Sequence, residues 1–158
     1  SEQQEDYSVA QMEFTQRLVS VDWEKGAIVL PASAGEALGI GDVVYISGTQ
    51  DNVGEAFKAD ADALGGFIGS GRGIVVAIAK SDGISPAGAL TAVDGDRISV
   101  CVQGLVYGFT SLTPGTTGYV GTTAGQLVDT APGNDWAMGY AWDATSFWVD
   151  PAGTGAYL

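Results

Sequence analysis

The chain contains no histidine. That removes the usual neutral-pH general base, the Ser–His–Asp and Cys–His nucleophilic arrangements, and histidine-ligated zinc. Cysteine occurs once, at Cys101, so no internal disulfide can form. Cys101 lies in an alternating strand pattern and reads as a small packed thiol, with no histidine in the chain to activate it. Positive charge is scarce too. Arg17, Lys25, Lys58, Arg72, Lys80 and Arg97 stand scattered against 19 acidic residues, for a net charge of −13. Phosphate backbones and anionic membrane surfaces are held by clustered basic side chains, so the sequence argues against both as partners. No apolar run reaches the length of about 18 residues that a membrane-spanning helix needs.

What the chain does have is glycine, 24 residues of it, with charged residues held to 16%. That composition is not the one of an acidic disordered chain. The length of 158 residues fits one domain, or one domain plus an arm, large enough to fold without a metal or a disulfide. Apolar alternation recurs in short segments between Gly and Pro turns, the signature of an all-β domain. Residues 15–23 and 27–30 read as strands, the second stopped by Pro31. Val43 to Ser47 and the apolar run Ile74 to Ala79 read as two more. The last third, Arg97 to Pro151, is strand and turn throughout and carries Trp136, Trp142 and Trp148. Gly104 reads as a break in its first strand.

Two short helical stretches are also expected. Ser33 with Glu36 three residues later has the form of a capping box leading to Leu38. Glu55 to Leu64 has the composition of a short helix. Asp94-Gly95 signals a hairpin between Leu90 to Val93 and the strand from Arg97. A weak internal repeat relates Leu38 to Thr49 with Leu112 to Thr123, each followed by a loop and an apolar strand. The expected fold is a small β-barrel or β-sandwich, jelly-roll or β-tulip-like, with Gly/Pro-rich loops. An extended N-terminal arm over residues 1–14 precedes a single β domain over residues 15–158.

Residue types that could carry chemistry form no convincing set. Gly69, Gly71 and Gly73 resemble a phosphate cradle, but they precede a strand instead of opening a helix, and so read as a loop. Asp60 with Asp62, and Asp94 with Asp96, lack the glycine and distal glutamate of a calcium loop and read as turn carboxylates. No catalytic, metal or cofactor-binding residue is expected. Strand alternation places Trp136, Met138, Tyr140 and Trp142 on one face, and Ala137, Gly139 and Ala141 on the other. Trp136, Tyr140, Trp142 and Trp148 read as core or subunit-contact aromatics, with a sugar-stacking platform as the alternative. Ser1 to Met12 reads either as a frayed terminus or as an arm that orders on a partner, with Tyr7, Val9, Met12 and Phe14 as its apolar anchors.

The layout Leu112-Thr113-Pro114-Gly115-Thr116-Thr117-Gly118-Tyr119-Val120, followed by Met138-Gly139-Tyr140-Ala141 and Phe147-Trp148-Val149-Asp150-Pro151, resembles the small β-rich proteins found on tailed-phage heads. Gly41-Asp42-Val43-Val44-Tyr45 fits the same scheme, and the similarity runs from about Leu38 to Pro151. The resemblance implies a capsid decoration, or cement, protein: a non-enzymatic virion component on the capsid exterior. Its implied partners are the major capsid protein and further copies of itself, as a homotrimer, with the arm helping to bind the shell. Similar short motifs occur in phage tail and fibre proteins, so a receptor-binding module recognising glycans is the alternative.

Overall fold

The structure, a computed structural model, describes residues 11–12, 20–21, 26–48, 53–62, 68–79, 91–133 and 136–151. Its strands in chain order are β1 (Gln11–Met12), β2 (Ser20–Val21), β3 (Ile28–Ala34), β4 (Leu38–Gly39), β5 (Val43–Ile46), β6 (Glu55–Lys58) and β7 (Gly73–Ala79). Then follow β8 (Thr91–Ala92), β9 (Arg97–Tyr107), β10 (Thr117–Val120), β11 (Leu127–Val128), β12 (Ala137–Ala141) and β13 (Ser146–Val149). The fold is all-β, with no helix among the described residues.

Everything is hung on β9, which at 11 residues is the longest strand. Its first half closes a five-stranded barrel in the order β9, β3, β6, β5, β7 and back to β9. Neighbours in this ring are antiparallel except β3 and β6, which run parallel through Ser33↔Glu55 and Ala34↔Ala56. Closure gives most of these strands a partner on each side, which removes the free edges that invite aggregation. The second half of β9 belongs to an open antiparallel sheet. There it pairs with β13 and with β2, and the sheet continues outward through β12, β10, β11 and β1.

The change of partner falls at Gly104. Its φ of +132° is accessible to glycine and strained for any other residue. A side chain there would also stand 2.6 Å from the Ala27 Cα. The expected strand break at Gly104 is therefore a redirection: the strand continues through it and swings from the barrel into the sheet.

Two cores follow from this layout. Inside the barrel lie Ala34, Val44, Ala56, Val75, Ile78, Ile98 and Val100, closed over by Leu38 and Ala92. A barrel of five strands is narrow, and the small side chains of Ala34 and Ala56 suit its bore. The larger core lies between the barrel wall and the sheet. Val43, Ile74, Val76 and Cys101 from the barrel meet Val106, Phe109, Val120, Leu127, Met138, Phe147 and Val149. Cys101 is fully buried, and burial pushes its thiol up to about 11, so it is protonated and inert at neutral pH, a packed thiol as expected.

Neither expected helical stretch is helical among its described residues. Ser33 is paired within β3, and the Glu36 carboxylate accepts the Lys58 N–H (2.7 Å) instead of capping a helix. Glu55 to Lys58 is β6, held between two barrel strands, and sheet pairing overrides its local propensity. The Asp94-Gly95 turn is present, with the Asp96 carboxylate accepting the Val93 N–H (2.9 Å). It does not make a hairpin, however: β8 pairs with β4 across the barrel end and not with β9. The internal repeat has a physical counterpart. Leu38 and Leu112 are both buried, and each leads into a turn closed by matching bonds, Asp42 N–H to Gly39 O and Thr116 N–H to Thr113 O (3.1 Å each). The following strands, β5 and β10, each pair antiparallel with the later apolar strand, β7 or β12.

Candidate functional site

Strand alternation gives the open sheet an inner face on the core and an outer face. On β13, Phe147 and Val149 point inward and are fully buried, while Trp148 points outward and is half-buried. Trp148 stands opposite Tyr140 on β12 and Leu105 on β9. Tyr107 lies one pleat further along β9, and Trp142 one pleat further beyond Tyr140. These five side chains, with Asp143 from the β12–β13 turn, line a groove of about 440 Å³.

Leu105 is the buried floor of the groove, and Tyr140 (39% exposed) and Trp142 (59% exposed) stand most open to solvent. The rings of Tyr140 and Trp142 are 6.3 Å apart and inclined at 53°. The β12–β13 turn that carries Asp143 is closed by the Trp142 N–H donating to Ser146 O (2.9 Å). The Thr145 N–H (3.0 Å) and hydroxyl (3.4 Å) both donate to Asp143 Oδ1. The Thr145 N–H, with help from Ser146, holds the Asp143 carboxyl below its ordinary range, so it is ionised throughout the neutral region.

The structure separates the aromatics that alternation had grouped. Gly139 has φ +134°, and the β10–β12 register shifts between Gly118 and Tyr119. The irregularity turns Met138 inward, fully buried, while Tyr140 and Trp142 stay outward. Ala141 is buried, opposite Phe147. Trp136 serves a different purpose. It packs on the core, its Nε1–H donates to Gly71 O (2.8 Å), and the Arg72 guanidinium lies 5.7 Å from its ring centre. It thus anchors the glycine-rich loop 69–73, which has a structural role here. Of the arm anchors, Met12 packs into the larger core as part of β1, which pairs with β11. Tyr7, Val9 and Phe14 lie outside the described residues. Sequence reasoning missed Leu105, Tyr107 and Asp143 as groove residues. The alternation of Leu105 and Tyr107 was a usable signal, but the pairing that brings β9 beside β13 was not visible.

The acidic pairs do not converge. Asp60 Oδ1 accepts the Asp62 N–H (3.2 Å), and Asp96 is buried in its turn while Asp94 is exposed. Among the described residues no cluster of three metal-ligating side chains occurs. Asp42 is a partly buried carboxylate whose titration burial alters. Desolvation raises its pKa, opposed by the Gly39 N–H on Oδ2 (2.8 Å) and by Lys58. A raised folded-state pKa means that this group favours folding below its unfolded value and loses that contribution as pH rises through the folded one. Asp42→Asn keeps an acceptor for Gly39 without the buried charge. We expect it to be more stable than the parent at pH 7 and equal to it near pH 3 in paired urea titrations.

No family model, no curated protein and no solved structure matches this chain.

Proposed function

We propose that this protein is a non-enzymatic decoration protein that binds the outside of a phage capsid and stabilises it. The observation that carries the reading is a closed barrel that shows apolar side chains to solvent. Ile28 (45% exposed) and Leu30 (50% exposed) project from β3, and Tyr140 and Trp142 from the sheet. Exposed apolar and aromatic surface on a strongly acidic body marks contact with other proteins. The resemblance of residues from about Leu38 to Pro151 to head proteins gives that contact a location. The mechanism is mass action: a protein that binds only the assembled shell shifts the equilibrium towards it, and many copies multiply a modest interface. Self-association as a trimer and a shell-binding arm belong to the same proposal.

The test is reconstitution on stripped particles. Removing the protein should lower the temperature at which the shell opens, and adding it back should restore that temperature. A chain lacking residues 1–10 keeps β1 paired with β11 and isolates the arm. It should attach more weakly while melting, as a free protein, like the full chain. Imaging that shows the protein at the tail and not over the head would replace this reading with the receptor-binding one.

A further inference from the structure

Among the described residues the groove on the outer sheet face is lined by four aromatic side chains, Leu105 and one carboxylate, with no basic side chain. Aromatic faces carry negative potential and attract cations placed within about 6 Å of a ring centre. The Tyr140 and Trp142 rings are 6.3 Å apart and inclined at 53°, so they form adjoining walls and not one flat platform. Trp148 and Tyr107 line the groove from the neighbouring strands, and Asp143 adds a full negative charge from the turn. The whole chain carries −13, which raises the local concentration of cations further.

We propose that this groove is a cation-accepting cage that docks a basic side chain, arginine foremost, presented by a partner protein. A planar guanidinium can stack on one aromatic wall and direct its N–H donors at the Asp143 carboxylate. Its methylene stem can lie on Leu105 and the indole of Trp148. A second copy of this chain is a poor source, since it offers only six basic residues and Arg72 already lies over Trp136. A pyranose fits less well. It needs several convergent donors and acceptors and prefers a broad flat ring face, whereas the polar groups here are few and the walls are angled. Naming a protein as the source of the cation rests on the reading of this chain as a contact protein; the cage chemistry does not.

The test uses the full chain and small probes followed by tryptophan fluorescence and NMR shifts. N-acetyl-arginine amide should bind in the millimolar range and perturb Trp142 and Trp148. The citrulline analogue, isosteric and neutral, should bind at least about tenfold more weakly. Trp142→Ala should lose about tenfold in affinity. Asp143→Asn should lose several-fold and become less salt-sensitive. Trp142 is open to solvent, so Trp142→Ala should melt like the parent. Asp143→Asn keeps an acceptor for Thr145 but loses the charge the turn favours, and should melt slightly lower while remaining folded. Equal binding of arginine and citrulline amides overturns the proposal, as does preferential binding of methyl glycosides at the same tryptophans. Arginine binding by a protein that imaging places away from the head would retain the cage and reject the capsid reading.

Discussion

Gly139→Ala should remove a large part of the stability of this domain. Residue 139 sits at φ +134°, a region in which side chains other than glycine are strained by about 1–3 kcal/mol. A Cβ there would also run into the Trp148 carbonyl on the paired strand. Neither obstacle can relax alone. Moving the backbone breaks the Asp150 N–H to Met138 O bond (2.8 Å) and the pairing of Gly139 with Val149. The loss should reach about 4 kcal/mol or more, against a total stability of about 5–15 kcal/mol for a typical domain. Gly133→Ala supplies the control. Its φ is +111°, but nothing lies within 4 Å of the added carbon, so it carries backbone strain without collision. Urea unfolding monitored by tryptophan fluorescence should place the Gly139 variant well below the Gly133 variant. Equal midpoints would mean that the contact with Trp148 has no energetic weight.

The same residue shows where the sequence stops being readable. The alternation of Ile98, Val100 and Val102 with Ser99, Cys101 and Gln103 marks β9 correctly, because the positions facing the barrel interior recur with the strand period. Ile74 to Ala79 is legible for another reason: it is apolar throughout, with both faces covered over Ile74, Val75 and Val76. Over residues 136–142 the period is also two, yet Met138 and Tyr140 face opposite ways, because an irregular glycine resets the phase. Nothing in the local pattern distinguishes such a glycine from one that merely fits. The two expected helices fail for a related reason. Glu55 to Lys58 has no strong preference of its own, and its strand form is imposed by β3 on one side and β5 on the other. The Asp94-Gly95 turn was visible, but its incoming strand finds a partner at Leu38–Gly39, a choice made by barrel closure and not by turn chemistry.

The groove was half legible. Tyr140, Trp142 and Trp148 stand out by residue type, and Tyr140 and Trp142 are exposed. Trp136 stands out equally and belongs elsewhere, since its indole N–H finds Gly71, 65 positions away in sequence. Leu105, Tyr107 and Asp143 join the site only because β9 crosses from the barrel into the sheet at Gly104 and lies beside β13. The glycine that redirects one strand therefore assembles the groove, while the glycine that resets another selects which aromatics face it.

Phe147 ties this outer face to the core, and its removal should have the second large effect. It is fully buried, with its ring 5.6 Å from that of Phe109, between Val106 and Ala141 on the neighbouring strands. Phe147→Ala should cost about 3–5 kcal/mol, the range for losing a core phenylalanine. Phe147→Leu should cost less, by about half or more. The cavity has little means of collapse, because the ring faces Gly118, which has no side chain to move inward. A methyl added at Gly118 would stand 2.7 Å from the Phe147 ring, so Gly118→Ala alone should be destabilising through overpacking. In the Phe147→Ala background the same methyl enters the vacated space and should restore part of the loss. The two changes together should therefore be less damaging than their sum, by about 1–3 kcal/mol in a double-mutant cycle. Strict additivity would place Phe147 and Gly118 out of contact and with them the packing of β13 on β10. Because Trp148 is the next residue on the same strand, Phe147→Ala should also weaken arginine-amide binding at the groove, and Gly118→Ala should recover binding in step with stability.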